Sequence, residues 1–360
     1  MYNLAYFSVL LSKSMLAQSL PHLRALSSPA QVSRTLFFSA LAIAAGKATL
    51  GPVIDRLSGP LATSILLPLL SLLFLLISSP SSSAPLILGS LVLVDFVFSA
   101  AWPSLVSSLQ HSLPPQSYAP AVGQAALAGR LGCAASFPLG GALLRRTGDW
   151  RSLYTLAAAA TLAPFVLLVS SSVRAGARPP SAVVPPPPAA RPSLRDSFSA
   201  LSAAARTGQF WLYFIPRSLL MVYSSFLLFL PLYLSTAHPS ISPRAASLVC
   251  SLYSLGSIAS LRLLSGSFSS LPPRARARRA AALLAVATIV PLVLASPLAG
   301  SLSAPIVGGL FFLYGFSFSL PFYVPPTLYV MNSPSPASLD NAFDLAGFLF
   351  LSGANAFAAT

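Results

Sequence analysis

Seven charged residues interrupt long apolar runs of this 360-residue sequence. They are Lys13, Lys47, Asp95, Arg130, Arg217, Arg262 and Asp344. A charge costs at least ~2.5 kcal/mol at the centre of a bilayer, so a chain rarely keeps one there without a use. The chemistry that these side chains offer is the pairing and attraction of ions, and we interpret them first as ion-binding groups.

The composition predicts a polytopic membrane protein. Apolar residues make up 55% of the chain, charged residues 8%, and the mean hydropathy is +0.77. A soluble domain of this length would not expose so apolar a surface. The net charge of +15 lies mostly in short loops between apolar runs, where it sets membrane orientation. We therefore expect a lipid bilayer and no nucleic acid as partner.

The residue types do not favour catalysis. The chain has no glutamate, and its histidines, His22, His111 and His238, are scattered over three loops. Cys133 and Cys250 lie inside apolar stretches and are expected to be packing residues. We therefore expect no enzyme activity, no cofactor and no metal site, and keep a membrane enzyme only as a disfavoured alternative.

Segments of about 20 apolar residues, the length that spans a bilayer, follow one another along the whole chain. We predict an all-α, polytopic bundle of eleven helices, and the odd number suggests that a twelfth is missing. The predicted segments are 2–26, 36–54, 60–78, 84–108, 119–144, 150–171, 209–235, 243–266, 278–297, 300–331 and 340–360.

Residues 172–208 separate the sixth and seventh segments and are rich in Pro, Ser and Arg. Such a composition predicts an extended or disordered linker, here on the cytosolic side. It divides the chain into an N-terminal half of six helices, 1–171, and a C-terminal half, 209–360, which we expect to be truncated in the eleventh helix.

A short polar motif follows the second segment. Gly51, Asp55 and Arg56 come just before the third segment, and Gly266 stands at the equivalent place after the eighth. A carboxylate at a helix end can accept hydrogen bonds from a neighbouring helix N-terminus, and a glycine lets helices approach closely. We expect a conformational latch, with a solvated turn that ends the helix as the alternative.

These features together resemble the major facilitator superfamily (MFS). Its loop signature Gly-x-x-x-Asp-Arg matches Gly51, Asp55 and Arg56, with Ser58 where the family has a second glycine. The stretch 123–144 resembles the fifth-helix signature of antiporter members, with glycines at 123, 132, 140 and 141. The resemblance implies two six-helix halves and secondary active transport of a small-molecule solute by alternating access.

Two cations suggest what the solute is. Lys13 and Arg217 lie at similar depth in the first and seventh helices, which are equivalent helices of the two halves. We expect them to bracket a central cavity and bind an anionic solute, a pattern similar to the organic anion and organophosphate branches of the superfamily. The alternative is snorkelling of the long side chains to interfacial water.

The other intramembrane charges receive smaller roles. Lys47, Asp95 and Arg130 are candidates for a gate or for coupling, and an ion pair with Asp95 is the alternative role for Lys47. Arg262 is expected to snorkel, and Asp344 to cap the first turn of the eleventh helix. The whole pattern predicts a monomeric, multi-pass membrane transporter of a small anionic solute, with an N-terminus in the cytosol. A neutral solute and a non-transporting or incomplete relative are the alternatives.

Overall fold

The computed structural model describes residues 2–26, 28–113, 115–176, 194–224, 226–239, 241, 243–330 and 336–357. These residues form α-helices, one short 3-10 helix (Pro297–Ser301) and connecting turns, with no strand among them. The α-helices are α1 (Tyr2–Leu26), α2 (Pro29–Leu57), α3 (Gly59–Ser78), α4 (Ala84–Phe98), α5 (Ala101–Ser112), α6 (Pro115–Thr147), α7 (Arg151–Gly176), α8 (Leu194–Ala205), α9 (Gly208–Ser224), α10 (Phe226–Ala237), α11 (Pro243–Ser270), α12 (Pro273–Ala295), α13 (Ala304–Val330) and α14 (Pro336–Phe357).

The predicted all-α membrane bundle is confirmed. Among the described residues, eight helical stretches are long and apolar enough to cross a membrane. One predicted segment is divided, into α4 and α5, with a turn at residues 99–100. The protein is therefore a multi-pass membrane protein, and its predicted span 84–108 is built from two shorter helices.

The division between α4 and α5 has a local cause. Pro103 lies in the first turn of α5, where a residue without an N–H is tolerated. Within one continuous helix the same proline would leave the carbonyl of Ser99 without its hydrogen bond. The chain turns at residues 99–100, and the Ser99 N–H donates back to Asp95 and Phe96. The break thus comes one turn after Asp95.

The helices form two packed halves, α1–α7 and α9–α14. In the first half α1 packs on α6 and α7, around buried residues such as Met15 and Tyr154. In the second half α11 packs on α13 and α9 on α14, and Tyr253 and Phe311 lie in the core. Between the halves, α2 packs on α14 and α6 on α11. Polar residues on these four helices can therefore meet across the interface.

Two glycines show how closely helices approach within a half. A Cβ added at Gly132 of α6 would collide with the Phe7 carbonyl of α1. One added at Gly315 of α13 would collide with the Tyr253 carbonyl of α11. Small residues let the backbones of membrane helices come into contact. Each half is therefore held together by direct packing of helix backbones.

The prediction that residues 172–208 are extended or disordered is wrong for part of this segment. Residues 172–176 complete α7, and residues 194–205 form α8, whereas residues 177–193 lie outside the described residues. The prolines that disfavour a helix end at Pro192, and the sequence that follows is rich in Ala, Ser and Leu. Leu201 and Ala204 pack beside Phe210, Leu339 and neighbouring apolar residues. That apolar contact stabilises a helix that composition alone did not indicate.

Candidate functional site

A buried carboxylate on α14 holds two cations. Asp344 Oδ2 lies 2.9 Å from Lys47 Nζ on α2, and its Oδ1 lies 2.8 Å from Arg217 Nε on α9. All three side chains are at most 6% exposed. Lys47 belongs to the first half, whereas Arg217 and Asp344 belong to the second. The Lys47–Asp344 ion pair therefore connects the halves, and the Arg217–Asp344 ion pair lies within the second half.

This arrangement corrects two predictions. Lys47 pairs with Asp344 instead of Asp95. Asp344 does not cap a first turn, because α14 begins at Pro336 and the residue lies two turns inside the helix. A proline is favoured at the first position of a helix and could have marked this start in the sequence.

A second acid on α14 was missed. Asp340 lies one turn before Asp344 and is 4% exposed. Its Oδ2 has no hydrogen-bond partner, although Lys47 and Arg217 lie near enough for their charges to act on its carboxyl group. The sequence carried a signal for it, because acids at positions i and i+4 lie on one face of a helix.

Lys13 forms its ion pair inside the first half. Its ammonium group contacts Asp95 Oδ1 and lies 5.5 Å from the centre of the Phe98 ring. The Lys13 side chain is 19% exposed, whereas that of Asp95 is 3% exposed. Of the two cations predicted to bind the solute, Lys13 is therefore paired with an acid on α4, and Arg217 with one on α14.

Aromatic residues of the second half surround the two arginines at the interface. The Arg217 guanidinium lies 3.4 Å from the centre of the Phe322 ring and donates to the Phe322 carbonyl. Arg130 Nη2 on α6 donates to the Tyr323 hydroxyl at 2.6 Å. Its guanidinium also lies 5.0 Å from the Tyr323 ring and 6.0 Å from the Tyr253 ring. The α13 aromatics Phe322 and Tyr323 thus touch cations from both halves, and no pattern in the sequence predicts this contact.

The motif after α2 meets the start of α14. Asp55 Oδ2 accepts from the Ser338 hydroxyl at 2.6 Å and from the Ser338 N–H at 3.2 Å. A carboxylate is favourable at a helix N-terminus because the first N–H groups and the helix dipole are positive there. Asp55 is only 8% exposed, so the solvated-turn alternative does not describe this residue.

The remaining predicted residues occupy simpler surroundings. Gly51 is buried inside α2, and Arg56 is exposed in its last turn. Arg262 is exposed on α11, with no ion pair among the residues that the structure describes. The buried charged side chains of the described residues, together with the partly buried Lys13, thus lie on α1, α2, α4, α6, α9 and α14.

Comparison with known proteins agrees with this architecture. The sequence model of the Major Facilitator Superfamily matches residues 2–359. No curated protein sequence matches the chain.

Solved structures share the fold. A bacterial homolog to the human lysosomal transporter Spinster, in an inward-facing and unoccupied conformation, superposes with a TM-score of 0.68 at 16% identity. The match covers 98% of this chain and 80% of that one. The inward-facing and occupied form gives a TM-score of 0.65 at 15% identity, covering 99% and 80% of the two chains.

Proposed function

This chain belongs to the Major Facilitator Superfamily, and from that premise we propose that it moves a small anionic solute by secondary active transport. Alternating access in such folds is largely a rocking of one half against the other around a central site. In our proposal residues 1–171 and 209–360 are the two moving bodies, and residues 172–208 connect them.

The observation that carries this proposal is the chemistry of the interface. The halves meet through the Lys47–Asp344 ion pair, the Asp55–Ser338 hydrogen bonds and the Arg130–Tyr323 hydrogen bond. Such contacts can be exchanged for water when the halves separate. The close backbone contacts at Gly132 and Gly315 join helices within each half, and water cannot replace them in the same way.

Asp55 is the proposed latch of this cycle, together with Gly51 and Arg56. Its hydrogen bonds to the start of α14 close the end of the bundle that carries the α2–α3 turn. By the positive-inside rule this is the cytosolic end, since Arg274, Arg276, Arg278 and Arg279 follow α11 there. Release of Asp55 would open that end.

The proposed solute is anionic because Lys13, Lys47, Arg130 and Arg217 lie in the interior, where an anion could contact them. Lys13 and Arg217 remain the proposed binding residues, and the partial exposure of Lys13 supports access by a solute. One observation favours the alternative of a neutral solute, since both cations already have an aspartate partner in this structure.

Counterflow in proteoliposomes tests the proposal. Purified protein is reconstituted, and labelled carboxylates, phosphate esters and neutral analogues are each offered to vesicles loaded with the unlabelled compound. We expect saturable counterflow of an anion, and loss of most of it in Asp55→Asn although the variant still inserts.

The exposed Asp149 provides the matched control, because Asp149→Asn changes a carboxylate outside the interface. Counterflow of a neutral analogue alone would favour the alternative solute. Transport is contradicted if no compound shows counterflow. The latch is contradicted if Asp55→Asn and Asp149→Asn give equal counterflow.

A further inference from the structure

Arg130 differs from the other buried cations in having no acid beside it. Lys13 has Asp95, and both Lys47 and Arg217 have Asp344. Within the described part of the chain, no carboxylate lies within ion-pair distance of Arg130, although this side chain is only 5% exposed. A guanidinium keeps its charge in proteins, so the protein buries a positive charge that it does not neutralise.

Two polar atoms at this place lack a hydrogen bond. Arg130 Nε has no partner, and neither has the hydroxyl of Tyr253, whose ring lies 6.0 Å from the guanidinium. Buried polar atoms are nearly always hydrogen-bonded, so two orphaned atoms beside one unpaired charge call for an explanation. An incoming ligand with oxygen acceptors would satisfy both.

The position suits a ligand that takes part in alternating access. Arg130 lies on α6 of the first half, whereas Tyr253 and Tyr323 lie on α11 and α13 of the second. A group bound among the three touches both halves at once. Its binding would therefore depend on how the halves are arranged, which is the differential affinity that a transported solute needs.

We propose that Arg130, Tyr253 and Tyr323 form a binding site for the carboxylate of a small organic acid. The inference rests on the proposed function and narrows its solute class. The guanidinium would bind the two carboxylate oxygens through Nε and Nη2, with Nη2 exchanging its present bond to Tyr323 for the ligand. The Tyr253 hydroxyl would donate to one oxygen, and the tyrosine rings would contact the planar acid.

A monocarboxylate fits the charge better than a phosphate ester does. A phosphate monoester carries about two negative charges at neutral pH. Arg130 supplies one positive charge, and the remaining buried cations are held by aspartates. The carboxylate thus neutralises the site without disrupting the existing ion pairs.

The experiment measures binding by isothermal titration calorimetry on the purified full chain. The probe is benzoate, with benzamide as its neutral analogue and phenyl phosphate as its dianionic one. We expect benzoate to bind more tightly than either. Arg130→Gln should weaken benzoate binding by roughly tenfold to a hundredfold, since a hydrogen bond to a charged group contributes about 1.5–3 kcal/mol.

Two further variants keep the test decisive. Arg151→Gln is the control, because Arg151 also lies against an aromatic ring, that of Trp150, but at the partly buried start of α7 and away from Tyr253 and Tyr323. Its benzoate affinity should equal that of the wild type. Should Arg130→Gln fail to fold, Tyr253→Phe removes only a hydroxyl with no partner in the protein, and it should weaken benzoate binding severalfold without lowering the unfolding temperature.

The proposal is overturned if benzoate does not bind, if benzamide or phenyl phosphate binds as tightly, or if Arg130→Gln and Arg151→Gln bind benzoate equally. Each of these results leaves the proposed transport untouched, because counterflow of a different solute is measured independently. Absence of all counterflow with Arg130-dependent benzoate binding would have the opposite meaning, namely a binding site in a chain that does not transport.

Discussion

At the scale of residues, the molecule arranges its buried charges as shared contacts around a few acids. Asp344 alone serves two cations on two different helices, and Asp340 lies one turn away with an unpartnered oxygen. Removing one partner of a buried ion pair costs more than the pair itself contributes, because the remaining charge is left in low dielectric. Asp344 should therefore be the most sensitive of the buried acids.

We expect Asp344→Asn to lower the free energy of unfolding by about 3–5 kcal/mol, because it removes the carboxylate that both Lys47 and Arg217 contact. Thermal unfolding of the detergent-solubilised protein, followed by tryptophan fluorescence, measures the change. Asp149→Asn replaces an exposed acid and should unfold like the wild type. Equal unfolding temperatures of the two variants would contradict a stabilising role for the Asp344 contacts.

At the scale of elements, the helices within each half contact through backbone. A side chain at Gly315 would enter the carbonyl of Tyr253, which belongs to the backbone of α11 and cannot rotate away. At Gly309, earlier on the same helix, nothing lies within 4 Å of an added Cβ. The same substitution at the two sites therefore separates helix packing from helix propensity.

We expect Gly315→Ala to destabilise the protein by about 1–3 kcal/mol, the usual cost of overpacking, since α11 and α13 must separate. Gly309→Ala should be neutral or slightly stabilising, because alanine is the better helix former. Urea unfolding of the two variants provides the measurement. A Gly315→Ala protein as stable as Gly309→Ala would show that the close approach of the two helices contributes nothing.

The elements also mark what the sequence could predict. Long apolar segments predicted the helices because a bilayer requires about 20 apolar residues in a row. Pairing of charges could not be predicted, since Lys47 and Asp344 are 297 positions apart and only the packing of α2 on α14 brings them together. The contacts of Tyr253 and Tyr323 with Arg130 could not be predicted either. Tyrosines are common in apolar segments, and only the packing of α6 against α11 and α13 brings these two to Arg130.

At the scale of the whole molecule, the two halves meet through polar contacts as well as apolar ones. Asp55 and Ser338 form such a contact, and their side chains lie within 2.6 Å of each other. A bond between these two positions would fix the halves at that end of the bundle. The rest of the interface would then have no freedom to open there.

We expect the double variant Asp55→Cys/Ser338→Cys to form a disulfide under oxidising conditions, because the replaced side chains already touch. Both native cysteines, Cys133 and Cys250, are buried and are replaced by alanine beforehand. A protease site inserted within 177–193 allows the chain to be cut, and denaturing electrophoresis shows whether the halves stay joined. Halves that separate without reductant would contradict the contact, and the single variants serve as controls.

Because Lys47 and Arg217 share the carboxylate of Asp344, separating α2 from α14 exposes one unpaired charge on α2 and none on α14. When α2 leaves α14, Asp344 keeps Arg217, which lies in the same half, and its charge remains balanced. Lys47 loses its only ion pair among the described residues and has to be solvated at once. Water must therefore reach α2 as the end opens, whereas the face of α14 can remain dry. Hydration of Lys47 is consequently one part of the barrier to opening, and solvents that lower water activity should slow this step more than the reverse closure.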